Sequence, residues 1–187
     1  MDRVLTDRDL WFLIAQSSVG DTYRPLNLRG ANLEGTNLAG ADLSGANFSK
    51  ANLKRANLSG VNLSGAYLAN ATLIEANLTD ANLENIILDQ ADMYACNLTK
   101  ADLTDAKLNK AILSKACLIE TDLSRADLSQ TQMDSCDLTR ANLMKTNLSG
   151  ANLSNADIFE AKFSRTYLNE TVLKGAKNTD RAKGFKG

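Results

Sequence analysis

The sequence predicts an all-β solenoid, a chain wound into repeated coils around an apolar axis. The first observation behind this is a five-residue period that never slips. Taking Leu28 as a centre, every fifth residue through Leu173 is again apolar, giving 30 consecutive units without insertion; 25 of the centres are Leu, the others Phe48, Met93, Met133, Ile158 and Phe163. The second is a column of small residues two positions before the centres, with Ala in 19 units, Thr in six and Cys in two. The third is a polar filling between them: Asn or Asp directly before 20 of the centres, and Ser, Thr and Gly prominent after them. A fixed short period of this kind is the signature of repeat architectures.

Geometry excludes the alternatives. On a helix, five residues at about 100° each carry successive centres around the axis, so no apolar stripe forms. On a plain strand, side chains alternate with period two and five is odd, so every second centre would face outward. The pattern works when each unit is a short extended side followed by a bend. The small residue and the centre then both face inward, and the chain turns in the three-residue gap before the next inward position. Asn and Asp suit bent backbone because they bond locally to it. Glycines 30, 35, 40, 45, 60, 65, 150 and 175 all fall two residues after a centre, where the bend is expected.

Residues 1–25 precede the repeat and read as a cap. Thr6 is placed to cap a helix whose first turn holds Asp7 and Asp9. Leu10 to Ala15 supply an apolar stretch, and Gln16 to Gly20 end it. A solenoid's terminal coil exposes apolar side chains and open backbone, so a cover is expected there. Tyr23, Arg24 and Pro25 then straighten the chain, and this lone Pro stands where no ladder bond is yet required. The repeat runs from 26 to 175. Its outward positions are most regular up to Gly65 and diversify from Tyr67 to Ile119, where Tyr67, Ile74, Ile87, Tyr94, Ile112, Cys117 and Ile119 replace polar residues. Residues 176–187, with Lys177, Arg181, Lys183 and Lys186 against Asp180, read as a basic, solvated tail.

The units Ala31-Asn32-Leu33, Ala41-Asp42-Leu43, Ala51-Asn52-Leu53 and Ala151-Asn152-Leu153 resemble the pentapeptide-repeat family, whose usual unit is a small residue, Asn or Asp, Leu and two variable residues. The resemblance covers the whole run from 26 to 175. It implies a right-handed quadrilateral parallel β-helix with four units per coil. The run would then make about seven and a half coils at roughly 4.8 Å each, a rod of about 36 Å.

Composition narrows the chemistry. The chain of 187 residues has no His and a formal net charge of −1. The lack of His removes His-based triads and most zinc sites, and the near-neutral charge gives no global pull toward nucleic acid or anionic lipid. The glycines follow the five-residue period and not a phosphate-loop spacing. No enzymatic activity, metal or cofactor is expected. The longest apolar run, Leu10 to Ala15, is far short of the ~20 residues that span a membrane, and no leader layout is evident, so the expectation is cytoplasmic. Cys96 and Cys136 read as small core fillers two coils apart, beyond bridging distance, and Cys117 as an outward thiol. Matches to the glycosylation pattern, such as Asn57-Leu58-Ser59, arise from the repeat itself.

The expected function is therefore a non-enzymatic protein-interaction scaffold with an unidentified protein partner. The candidate patch is Tyr67, Ile74, Ile87, Tyr94 and Ile112, expected to gather near one corner with Glu75, Asp89 and Asp92 at its rim, because an apolar patch with a polar rim marks interaction sites. Leu168 and Leu173 are the candidate end for a homodimer through the C-terminal coil. The alternative, implied by the resemblance alone, is a DNA mimic that binds a type II topoisomerase and inhibits it or protects it from quinolones. Mimicry needs acid along the rod. Residues 75–105 hold seven acids against Lys100, but the four-sided model spreads them over all faces. A purely structural or osmotic-stress protein with no specific partner is the third class.

Overall fold

In the computed structural model, residues 7–17 and 25–185 are described. The fold is a parallel coil in which each five-residue unit is one side. Every side pairs by a single parallel bridge with the residue 20 positions later, from Asn27↔Asn47 through Asp157↔Lys177. A turn every five residues and a register of 20 give four sides per coil. The sides are too short to form strands, so the expected all-β character resides in stacked single bridges.

Where Asn or Asp precedes the centre, the N–H groups of a unit each have a destination, which buried or crowded backbone requires. At the first unit, Asn47 of the following coil donates back to Leu26 O at 2.8 Å, while Leu28 and Gly30 donate forward to Asn47 O at 2.7 Å and Ser49 O at 2.9 Å. Ala31 donates to Leu28 O at 3.0 Å, closing the turn. The remaining donor, Arg29 N, reaches the Asn27 side-chain Oδ1 at 3.2 Å. That last bond explains the Asn or Asp before 20 of the centres: its side chain takes the one N–H the ladder leaves over. The same side chains also form ladders between coils, as in Asn52 Nδ2 to Asn32 Oδ1 at 3.0 Å and Asn62 Nδ2 to Asp42 Oδ1 at 3.0 Å.

The second residue after each centre adopts positive φ whatever its identity. Glycines in the repeat lie at 62° to 73°, and the Lys, Arg, Asp, Glu, Asn, Gln, Ser and Ala that occupy the other corners lie at 54° to 63°. This conformation lets the corner N–H donate into the following coil, as Lys100 N does to Ile119 O at 2.9 Å.

The small residues and centres form one continuous buried cluster from Leu28 to Phe163. Inward threonines are satisfied inside it. Thr121 and Thr146 donate to Leu98 O and Leu123 O, both at 2.7 Å, one coil back. Cys96 and Cys136 are buried free thiols; burial raises both, Cys136 to about 12. Cys117 is half-buried, its Sγ 3.2 Å from Thr99 Oγ1.

The two ends differ. Helix α1, Asp7–Ser17, buries Leu10 and Ile14 within the same hydrophobic cluster. The Thr6 cap, the helix exit beyond Ser17 and the Tyr23–Arg24 connection lie outside the described residues. At the other end, the segment read as a solvated tail carries ladder bonds. Lys177 N donates to Ala156 O at 2.8 Å, Lys183 bridges Lys162, and Phe185 packs edge-on against Phe163 with ring centroids 5.1 Å apart. The Lys162↔Lys183 spacing is 21 and not 20, so one extra residue is absorbed after Asn178.

Candidate interaction surface

The outward surface is built from vertical columns of residues 20 apart. One side stacks Asn27, Asn47, Tyr67, Ile87, Lys107, Asp127, Asn147 and Tyr167. The next stacks Asn32, Asn52, Thr72, Asp92, Ile112, Gln132, Asn152 and Val172. Of the five predicted patch residues, Tyr67 and Ile87 are neighbours on the first side, and Ile112 lies on the second beside Asp92. Ile74 and Tyr94 lie in the turns that follow the second side. The five thus spread along two sides and the corner beyond, instead of gathering at a single corner. Of the five only Tyr67 is exposed, at 50%; the other four are half-buried, because each outward side chain leans on the residues one coil above and below it.

The predicted rim is engaged within the molecule. Glu75 pairs with Arg55 Nε at 2.7 Å, and that hydrogen bond holds the carboxyl below the usual carboxylate range. Asp89 Oδ1 accepts from Asn109 N at 2.9 Å, and Asp92 Oδ1 accepts from Tyr94 N at 3.1 Å. The Lys115 ammonium stands 5.4 Å from the Tyr94 ring centroid, and its pKa is raised by its hydrogen bond to Tyr94.

A feature absent from the sequence reading concerns the turns beneath the patch. Tyr67, Ile87 and Ile112 occupy positions where Asn or Asp elsewhere accepts the turn N–H, and among the described residues no side-chain oxygen takes over that role for Ala69, Asp89 or Ser114. These apolar residues forgo a hydrogen bond worth about 0.5–1.5 kcal/mol. The signal was in the sequence, as the identity of the residue before each centre, but its meaning required knowing where the leftover N–H points.

Charges line the corners in the same 20-residue register. Asp80, Lys100, Glu120, Arg140 and Glu160 alternate along one corner, with Arg140 3.6 Å from Glu120 and 3.0 Å from Glu160. On another, Arg125 pairs with Asp105 at 2.6 Å. At the C-terminal coil, Leu168 and Leu173 are half-buried where their upstream counterparts are fully buried, and Tyr167 and Val172 beside them are exposed. Among the described residues, no group of His, Cys, Asp and Glu is placed to hold a metal ion, and no helix is long and apolar enough to cross a membrane.

Comparison with known proteins places this geometry. The family model described as pentapeptide repeats matches in 8 copies, at residues 27–65, 51–90, 86–125, 121–158 and 136–175. Among solved structures, a trypsin-treated form of QnrB1, a plasmid-mediated fluoroquinolone resistance protein, aligns with a TM-score of 0.58 at 18% identity, covering 87% of this chain and 84% of that one. HetL, a pentapeptide repeat protein involved in heterocyst differentiation regulation in the cyanobacterium Nostoc sp. strain PCC 7120, is 26% identical over 96% of this chain and 94% of its own, with a TM-score of 0.44. Rfr23 from the cyanobacterium Cyanothece 51142 is 41% identical, with a TM-score of 0.45, over 46% of this chain and 61% of its own. No curated protein matches the chain.

Proposed function

The chain belongs to the pentapeptide-repeat family, and on that premise we propose that it is a non-enzymatic scaffold whose solenoid surface binds another protein. The right hand of the four-sided coil is part of the same proposal, carried from the family. A cytoplasmic site of action is proposed too, supported by three free thiols, Cys96, Cys117 and Cys136.

One observation carries the scaffold reading. Tyr67, Ile87 and Ile112 stand where the fold gains from Asn or Asp, so they are locally disfavoured choices clustered on adjoining sides. Residues kept at a cost to stability are the ones expected to serve function. The test replaces two patch residues with the default filling of the repeat, Ile112→Asn with Tyr94→Ser. The restored side-chain acceptor for Ser114 N should keep the melting temperature at or above that of the wild type. Capture of protein partners from native lysate should fall at least tenfold. Undiminished capture by a variant that melts no lower would reject the patch.

The topoisomerase reading draws on the shared fold with QnrB1. The alternation of acid and base along the Asp80–Glu160 corner breaks the continuous negative face that duplex mimicry needs. A gyrase supercoiling assay separates the two readings: inhibition or quinolone protection by the added chain would favour mimicry, and unchanged supercoiling the scaffold.

A further inference from the structure

The side that carries Tyr67 and Ile87 has a self-complementary order. Beyond Asn27 and Asn47 it presents, in order, Tyr67, Ile87, Lys107, Asp127, Asn147 and Tyr167. Apply a two-fold axis perpendicular to the rod, centred between the coils of Lys107 and Asp127, and lay the side against its own copy. Lys107 then faces Asp127 of the second copy, and Asp127 faces Lys107. Ile87 faces Asn147, and the two exposed tyrosines, Tyr67 at 50% and Tyr167 at 62%, face each other at both ends of the contact.

The flanking corners agree with the same centre. On one flank the column Asn85, Asp105, Arg125, Lys145 sets Asp105 against Arg125 and Asn85 against Lys145. On the other, Asn70, Gln90, Lys110, Gln130, Gly150 and Glu170 set Lys110 against Gln130 and Asn70 against Glu170. No like charges meet on either. Two of the other three sides lack this property. Centred at the same height, the side of Asp102 and Asp122 would set acid on acid, and the side of Asp92 and Ile112 would set Ile112 against Gln132 with no charge pair. Moving the centre of the first side onto Lys107 or Asp127 sets each against itself. A closed two-fold contact requires one patch to complement itself in this way, and charge matching of this kind fixes register more than it adds affinity.

We propose that this side is the face of an antiparallel, side-by-side homodimer, held by two reciprocal Lys107–Asp127 pairs and two Tyr67–Tyr167 contacts. The proposal rests on the reading of Tyr67 and Ile87 as interaction residues and names their partner as a second copy of this chain. It leaves Tyr94 and Ile112 on the neighbouring surface free for another protein, so the capture test above can fail or succeed independently.

Sedimentation velocity across a concentration series supplies the test, using two charge-reversal variants. Lys107→Glu makes the centre of the face wholly acidic, and Asp127→Lys makes it wholly basic. Wild type should show a concentration-dependent dimer that weakens as salt screens the pairs. Each variant alone should be monomeric. An equimolar mixture should recover the dimer, because acidic then meets basic across the contact. Recovery on mixing cannot come from the intrachain stacking of residues 107 and 127, which mixing leaves unchanged. Wild type that stays monomeric throughout, variants that dimerise unaided, or a mixture that remains monomeric would each overturn the proposal. Dimerisation unaffected by either reversal would instead place the contact at the coil end near Leu168 and Leu173.

Discussion

The coils up to Gly65 and those from Asn70 to Lys145 turn their corners with different residues and the same backbone. The first group uses glycine at most corners; the second uses none. Yet Gly60 has φ 62° and Lys100, two coils further along the same corner, has φ 60°. A left-handed conformation costs a non-glycine residue about 1–2 kcal/mol, and no local preference of Lys, Glu or Arg explains why they accept it. The stack does. Each corner N–H is aimed into the coil that follows, and the inward columns above and below fix the path between. The difference teaches that the buried columns determine the shape, while the corner residue only sets how much strain the shape carries. Where glycine is given up, the corner gains side chains, and these become the ion-paired columns of the middle and C-terminal coils.

The sharpest way to break the comparison is to attack what both regions share. Leu38→Ala in the glycine-cornered coils and Leu98→Ala in the others should each destabilise by about 2–5 kcal/mol, since both leave a cavity in the continuous core. Chemical denaturation that found one of the two near-neutral would show that the regions do not share a common axis. A smaller effect sharpens the contrast at the corners. A methyl group at Gly60 meets nothing within 4 Å, so Gly60→Ala should cost about 1–2 kcal/mol through φ alone. Lys100→Gly, on the same corner, should be neutral to slightly stabilising, because relief at φ opposes the entropy lost in ordering glycine. Equal losses in both would mean that the corner strain is absent.

The smallest expected effect is pH dependence, and it belongs to the second region. Glu75 and Asp105 are held below the usual carboxylate range by hydrogen bonds from Arg55 and Arg125. Burial raises Asp122, but hydrogen bonds from Ser124 and Asn142 together prevail and its pKa is also lowered. A depressed folded value means that the stabilisation is complete above the unfolded value near 4 and disappears as pH falls through the folded values. Since these pairs are exposed or partly so, the loss should be slight. Hydrogen exchange below about pH 4 should quicken at the corner amides of residues 75, 105 and 125 before those of 40 and 60. Uniform quickening would remove the link to the ion pairs.

Much of this molecule was legible from residue order. The inward columns at Ala41, Leu43, Ala46 and Phe48, the corner glycines and the local role of Asn and Asp follow from the period, because each concerns neighbours within one unit. The candidate patch was legible as a list and in its spacing of 20, but not in its burial. Tyr67 and Ile87 stack on one side, and Ile74 and Tyr94 occupy consecutive turns after the next. Their half-burial comes from residues 20 positions away. The basic segment after Ala176 was opaque for the same reason: its ladder bonds to Ala156 and Ala161 reach back a whole coil.

By itself the sequence determined which residues face the axis, where each bend falls and where Asn and Asp bond locally to the bent backbone. These depend on a period of five and on chemistry acting across two or three residues. Tertiary structure decided the register of 20 and hence every pairing between coils: Arg55 with Glu75, Thr121 with Leu98, and the column from Tyr67 to Tyr167. Closure of a coil is the accumulated result of four turn angles, which no single unit encodes, and only when the coil closes do residues 20 apart become neighbours.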